Sequence, residues 1–250
     1  MKNKSYQSGI SLIEIMVALL IGVFLLGGVL QIFIGSKQTY WMQENLSRLQ
    51  ENGRLALDFL ANDIRMAGYW GCLGTSSTNT DIAGTNDNSN HSDTIDDGTD
   101  TVSVKGAFAL TPAGTCGTSV DTAGSCGTGV NCYTDTSSMV TYRINNGVLK
   151  KNTDDLIEGI ENIQILYGVD TDSDKTANYY VPADPALNWP SVVSVRISLL
   201  AVTLDDNLTT QPMPYTFNGI TTTTTTTPPV TDRKIRRVFT TTIALRNRLP

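Results

Sequence analysis

Residues Ile15 to Ile34 form an apolar run whose one strongly polar side chain is Gln31. A helix of about twenty residues, rising about 1.5 Å per residue, spans about 30 Å, the hydrocarbon thickness of a bilayer. The rest of the chain is polar and rich in Thr, Asp, Asn and Gly, so a membrane-length helix and a soluble body are expected. Lys2 and Lys4 give the basic start of a secretory signal. The apolar run, however, exceeds the roughly 7–15 residues of such a signal, and no small-residue cleavage site follows it. Just before the run stands Glu14. Carried to the bilayer centre, a carboxylate costs roughly 2.5–3.5 kcal/mol, so it needs a cationic partner or a function.

The 250 residues suffice for one ordinary domain plus extra segments, and 40% hydrophobic with 17% charged residues is a globular composition. A net charge of −6 argues against nucleic acid as a partner, because phosphate binding needs a positive field. Arg233, Lys234, Arg236, Arg237, Arg246 and Arg248 run against that balance and read as a solvated sheet surface. The four cysteines, Cys72, Cys116, Cys126 and Cys132, lie beyond the apolar run. In a body outside the cytoplasm they suggest two disulfides. Three connectivities are open, and the favoured one joins Cys116 to Cys126 and Cys72 to Cys132.

No catalytic constellation is evident. His91, the single histidine, sits in a polar stretch beside Asn90 and Asp93 with no nucleophile context. Gly-rich phosphate loops and H-E-x-x-H helices are absent. An enzyme is therefore not expected, and no cofactor is called for. Asp170, Asp172 and Asp174 place acidic oxygens at alternate positions, as calcium loops do. Lys175 and Val181 stand where an EF-hand needs glycine and glutamate, so an acidic turn competes with the calcium reading.

Residues 10 to about 67 read as one helix. Beyond Gly35 its apolar residues Leu46, Leu49, Gly53, Leu57, Leu60 and Ile64 recur at helical spacing, predicting a face that packs on a sheet. Gly27, Gly28 and Gly35 allow close helix approach in a membrane. Gly68 is placed to stop the helix. Residues 75–100 read as an exposed loop. Strand patterns follow at 139–144 and 148–150, joined by Asn145-Asn146-Gly147, and again at Ile163–Val169, Val193–Leu199 and Phe239–Leu245. The expectation is one antiparallel sheet of four or more strands, with 219–231 as a Thr-rich loop between its last strands.

Gly9-Ile10-Ser11-Leu12-Ile13-Glu14 resembles the processing site of type IV prepilins. The resemblance implies that a prepilin peptidase cuts between Gly9 and Ile10 and methylates Ile10, although most members have Phe there. It also implies that Glu14 pairs with the terminal amine of a neighbouring subunit. Further blocks resemble the PilW-type minor pilins: Leu46 to Arg54, Asp63 to Tyr69, Leu156 to Asp170, Val193 to Leu200 and Arg237 to Arg248.

The implied fold is α+β, type IV pilin-like, with a long N-terminal helix on a C-terminal antiparallel sheet. The expected division is leader 1–9, membrane and assembly half-helix 10–35, amphipathic half 36–68, and body 69–250. The implied function is a minor pilin that initiates pilus assembly at or near the tip. Its partners would be other minor pilins, the major pilin, the assembly platform, the peptidase and a tip adhesin. The chain would reside in the inner membrane, body in the periplasm, before entering the surface fibre. A minor pseudopilin of type II secretion and a membrane-anchored binding ectodomain are the alternatives.

Overall fold

The computed structural model describes residues 11–69, 81–86, 99–106, 139–226 and 229–248. Helix α1 runs from Leu12 to Met66 without a proline, with Glu14 in its first turn and Arg65 in its last, each sign matched to the helix dipole. Its end is capped three ways. Gly68 takes φ +73° and donates its N–H to the Lys105 carbonyl at 2.9 Å. The Asn247 side-chain amide, from the far end of the chain, donates to the carbonyls of Arg65 and Ala67. The carbonyls of Ile64 and Met66 are met by the short bonds of a closing turn, from the N–H groups of Ala67 and Tyr69.

The chain forms two compact units that divide between Glu44 and Asn45. In the first, every large apolar side chain from Leu12 to Ile34 is exposed. In the second, burial on α1 begins at Asn45 and continues through Leu49, Gly53, Ala56, Leu60, Ala61, Asp63 and Ile64. Of the predicted stripe, Leu49, Gly53, Leu60 and Ile64 are buried, while Leu46 and Leu57 are half-buried. Gly53 permits close helix–sheet approach, because a Cβ there would strike the Phe239 ring.

The strands build two principal sheets rather than one. The first is antiparallel in chain order: β1 (Ile82–Thr85), β2 (Thr101–Lys105), β3 (Met139–Asn145), β4 (Val148–Lys151) and β5 (Asp154–Glu158). The second has the order β11-β8-β6-β7, from β6 (Ile160–Val169), β7 (Tyr179–Val181), β8 (Val192–Val202) and β11 (Arg236–Ala244). β9 (Tyr215–Phe217) and β10 (Ile220–Thr222) form a small separate hairpin. The β3–β4 turn is the predicted one: Asn146 (φ 51°) and Gly147 (φ 73°) join strands paired up to Asn145–Val148.

Two expected loops contain ordered structure. Within 75–100, Ile82 to Thr85 forms β1, Ile82 is fully buried, and Asp100 is buried as well. Asp100 splices the two sheets: its N–H reaches the Ile163 carbonyl, and its carboxylate accepts the Ile165 N–H at 2.7 Å. Within 219–231, β10 pairs with β9 and Val230 is buried. In both cases a single aliphatic anchor and a strand partner outweigh the polar surroundings.

The helix is tied to the first sheet by a buried polar cluster. Tyr142 donates its hydroxyl to Asp63 at 2.6 Å, and the Lys151 ammonium lies 2.7 Å from the same carboxylate oxygen. Burial pushes the Tyr142 phenol up, reinforced by its hydrogen bond to Asp63 and by that carboxylate's charge.

Candidate assembly site

The N-terminal unit carries the residues that sequence patterning marks for assembly. Ser11 provides the carbonyl that receives the N–H groups of Glu14 (3.0 Å) and Ile15 (3.3 Å), which sets Glu14 in the first helical turn. The Glu14 carboxylate is exposed, and the segment after it is apolar on all faces, with Phe24 and Ile32 each about three-quarters exposed. The most apolar window of α1 has no buried residue within the chain and is long enough to cross a membrane. A helix of this kind finds its complement in lipid or in other helices, since water and a soluble core both reject it. At Gly22, Gly27, Gly28 and Gly35 an added Cβ would meet nothing within 4 Å, so these positions are open to a neighbour. Gly9 and Ile10 lie outside the described residues, as do Cys72, Cys116, Cys126, Cys132 and His91.

Asp170, Asp172 and Asp174 converge in the loop between β6 and β7, with one carboxylate oxygen from each within 4.8 Å of the others. The loop also closes on its own hydrogen bonds. Asp170 receives the backbone N–H groups of Asp172 and Ser173 on one oxygen and that of Lys175 on the other. Asp172 accepts the Asn178 amide, and Asp174 accepts the Thr176 N–H. Desolvation pushes the Asp170 carboxyl up, but the N–H groups of Lys175, Ser173 and Asp172 together outweigh it and hold the carboxyl below its ordinary range. Calcium-type oxygen ligands are present, yet both oxygens of the central carboxylate are already engaged by the backbone. The acidic turn thus explains the geometry by itself.

The C-terminal basic cluster is not uniformly solvated, contrary to expectation. Arg236 is held by two carboxylates, Glu161 at 2.6 and 3.0 Å and Asp232 at 2.6 and 2.7 Å, and stacks over Tyr215 at 4.9 Å. Its side chain is only 7% exposed. A guanidinium presents a planar fork that two carboxylates can saturate, which an exposed strand face does not require. Asp63 and Asp100, buried carboxylates that organise the body, were given no role by patterning, and Arg236 was read only as one of a solvated cluster. The available signal was a charged residue at a core-period position, as Asp63 is beside Ile64 and Leu60.

Comparison with known proteins places these features in families. A family model described as type IV pilus-assembly protein W matches residues 124–247. A second, the prokaryotic N-terminal methylation motif, matches residues 4–30. No individually curated protein matches the chain. Among solved structures, a type IV-like pilin from Thermus thermophilus is similar, at 15% identity and a TM-score of 0.35, over 80% of this chain and 98% of that one.

Proposed function

Because the chain belongs to the PilW type of type IV pilins, anchored in the inner membrane and later incorporated into the pilus, we propose that it initiates assembly and sits at or near the fibre tip. The families it matches describe pilus assembly and methylation processing rather than catalysis, and other pilus components are its partners. The finer reading names those partners as further minor pilins, the major pilin and the assembly platform. One observation carries it. An all-round apolar helix with a carboxylate in its first turn leaves both its faces and its charge to be satisfied by neighbours.

The mechanism follows from that helix. In the membrane, lipid solvates its side chains while the body folds outside. Cleavage between Gly9 and Ile10 would create a new terminal amine four residues before Glu14. A buried carboxylate is stable only when paired, so an amine of the adjacent subunit fixes the axial register as helices replace lipid around the anchor. The glycines at 22, 27, 28 and 35 let those helices approach. The test is the mass of the N-terminal peptide from membrane-extracted protein, together with the chain's presence in sheared fibres. A methylated peptide beginning at Ile10 and recovery of the chain in fibres are expected. A mature chain retaining Lys2 and Lys4 would overturn the reading.

A further inference from the structure

We infer that β11 is a receptor edge, taking an extended strand from a different subunit of the same fibre; this rests on the pilin reading above. The sheet edges of the body are unequal. β1 has four residues and β7 three, while β5 carries Asp154 and Asp155 and pairs through an irregular register at Leu149/Lys150. Short length, charge and bulges are how proteins protect such edges from foreign strands. β11 has none of these between Val238 and Ala244. It is nine residues long, pairs with β8 in uninterrupted register, and among the described residues ends the sheet order.

The hydrogen bonding fixes which of its groups are open. The Leu245 N–H goes to the Val193 carbonyl, and the Ile235 carbonyl receives the Thr203 N–H. Both odd-numbered positions therefore face β8. By alternation along an antiparallel strand, the N–H and C=O of Val238, Thr240 and Thr242 point away from β8, to an edge that no strand among the described residues pairs with. Beside this edge lies an open groove of about 800 Å³, with Phe239 and Thr241 on the strand side and Arg54, Asp58 and Arg65 on the α1 side.

Groove and strand also agree in length and direction. Ser47 to Arg65 of α1 covers about 27 Å at helical rise, and a nine-residue strand about 30 Å. Asn45 bonds Asp205 near the start of β11, Gly53 lies under Phe239 midway, and Asn247 just past its end caps α1. Helix and strand thus run side by side in the same direction. Two copies joined antiparallel through this edge would send their helices in opposite directions, which subunits inserted alike in one membrane cannot do. A strand from a different subunit meets the edge without that conflict, with main-chain bonds supplying affinity and alternate side chains entering the groove.

The test uses the full chain in cells. Thr242→Pro removes one outward N–H and puts a ring in the incoming strand's path, leaving the bonds to β8 in place. Wild-type protein levels with about fivefold or greater loss from sheared fibres are expected, as for losing a backbone bond and adding a clash. Thr241→Pro, which breaks the β8 ladder, should lower the protein level itself. A photoreactive residue in the substitution Thr242→p-benzoylphenylalanine should cross-link to another pilus subunit. Normal incorporation of Thr242→Pro, absence of a cross-link, or a cross-link to a second copy of this chain would each overturn the inference. Absence of the wild-type chain from fibres would instead overturn the pilin reading.

Discussion

Asp63 occupies a position on α1 where the helical period calls for an aliphatic residue, and it is nearly buried there. Its carboxylate accepts from Tyr142 and pairs with Lys151, so the helix face and the first sheet share one hydrogen-bonded charge. Removing one partner of such a cluster costs more than the cluster contributes, because the others keep their desolvation. Asp63→Ala should therefore destabilise the body by about 2–4 kcal/mol, discounted for the partial exposure of Lys151. Asp63→Asn, which still accepts the Tyr142 bond, should cost less. Urea melts of both variants check the order, and equal midpoints for Ala and wild type would remove the role.

Glu14 is the opposite case: its carboxylate is exposed in the isolated chain. Glu14→Val should leave membrane insertion intact or improved, since a costly charge is gone, while fibre incorporation falls. Wild-type piliation in that variant would remove the register role proposed for Glu14.

At the scale of elements, the connection entering β11 depends on charge. Asp232 lies below its ordinary carboxylate value of 3.8, first through its hydrogen bond from Arg236 and then, against some desolvation, through that guanidinium's charge. Asp206, which accepts the backbone N–H groups of Asn207 and Arg233, and Asp170 in the β6–β7 loop are also lowered. A carboxyl with a depressed folded value stabilises fully above its unfolded value and loses that contribution as pH falls through the folded one. The urea midpoint of the body should thus hold from about pH 7 to 5 and drop below about pH 4. Asp232→Asn should flatten the drop. An unchanged acid profile in that variant would show that this pair does not set it.

Some elements were legible in the sequence for definite reasons. The β3–β4 hairpin was legible because Asn146-Gly147 supplies two left-handed residues between alternating strands. β6, β8 and β11 were legible from period-two apolar positions, and Ile163, Ile165, Val195, Ile197 and Ile243 are all buried. β1 was not, since Ile82 and Ala83 are two apolar residues within a long polar stretch, and its partner β2 lies beyond a further polar segment. The second sheet was missed for a related reason. Alternation identifies a strand but not its neighbours, and the splice at Asp100 is a tertiary contact that no local pattern encodes.

At the scale of the whole molecule, α1 serves two environments with two patterns, and a truncation series separates them. The large apolar side chains from Ile15 to Ile34 lie on all faces of α1 and are exposed, so they contribute nothing to the core of the body. A chain beginning near Gln38 should therefore be soluble, monomeric and cooperatively folded. Cutting further, to about Gly68, removes Leu49, Leu60 and Ile64, all buried, and with them the sheet-covering face. Each such side chain is worth roughly 1.5–3 kcal/mol of burial, so the three together are of the order of a domain's net stability. The same cut strips Asp63 from Tyr142 and Lys151, and leaves Asn247 without the helix end it caps. It also bares Ile165, Val195 and Ile243 in the same core cluster, a patch that in water favours association over folding. The shorter chain should aggregate or melt without cooperativity, while the longer one gives a single urea transition. If the shorter chain unfolds at the same midpoint with the same slope, the second half of α1 is not core, and the division of labour along the helix is wrong.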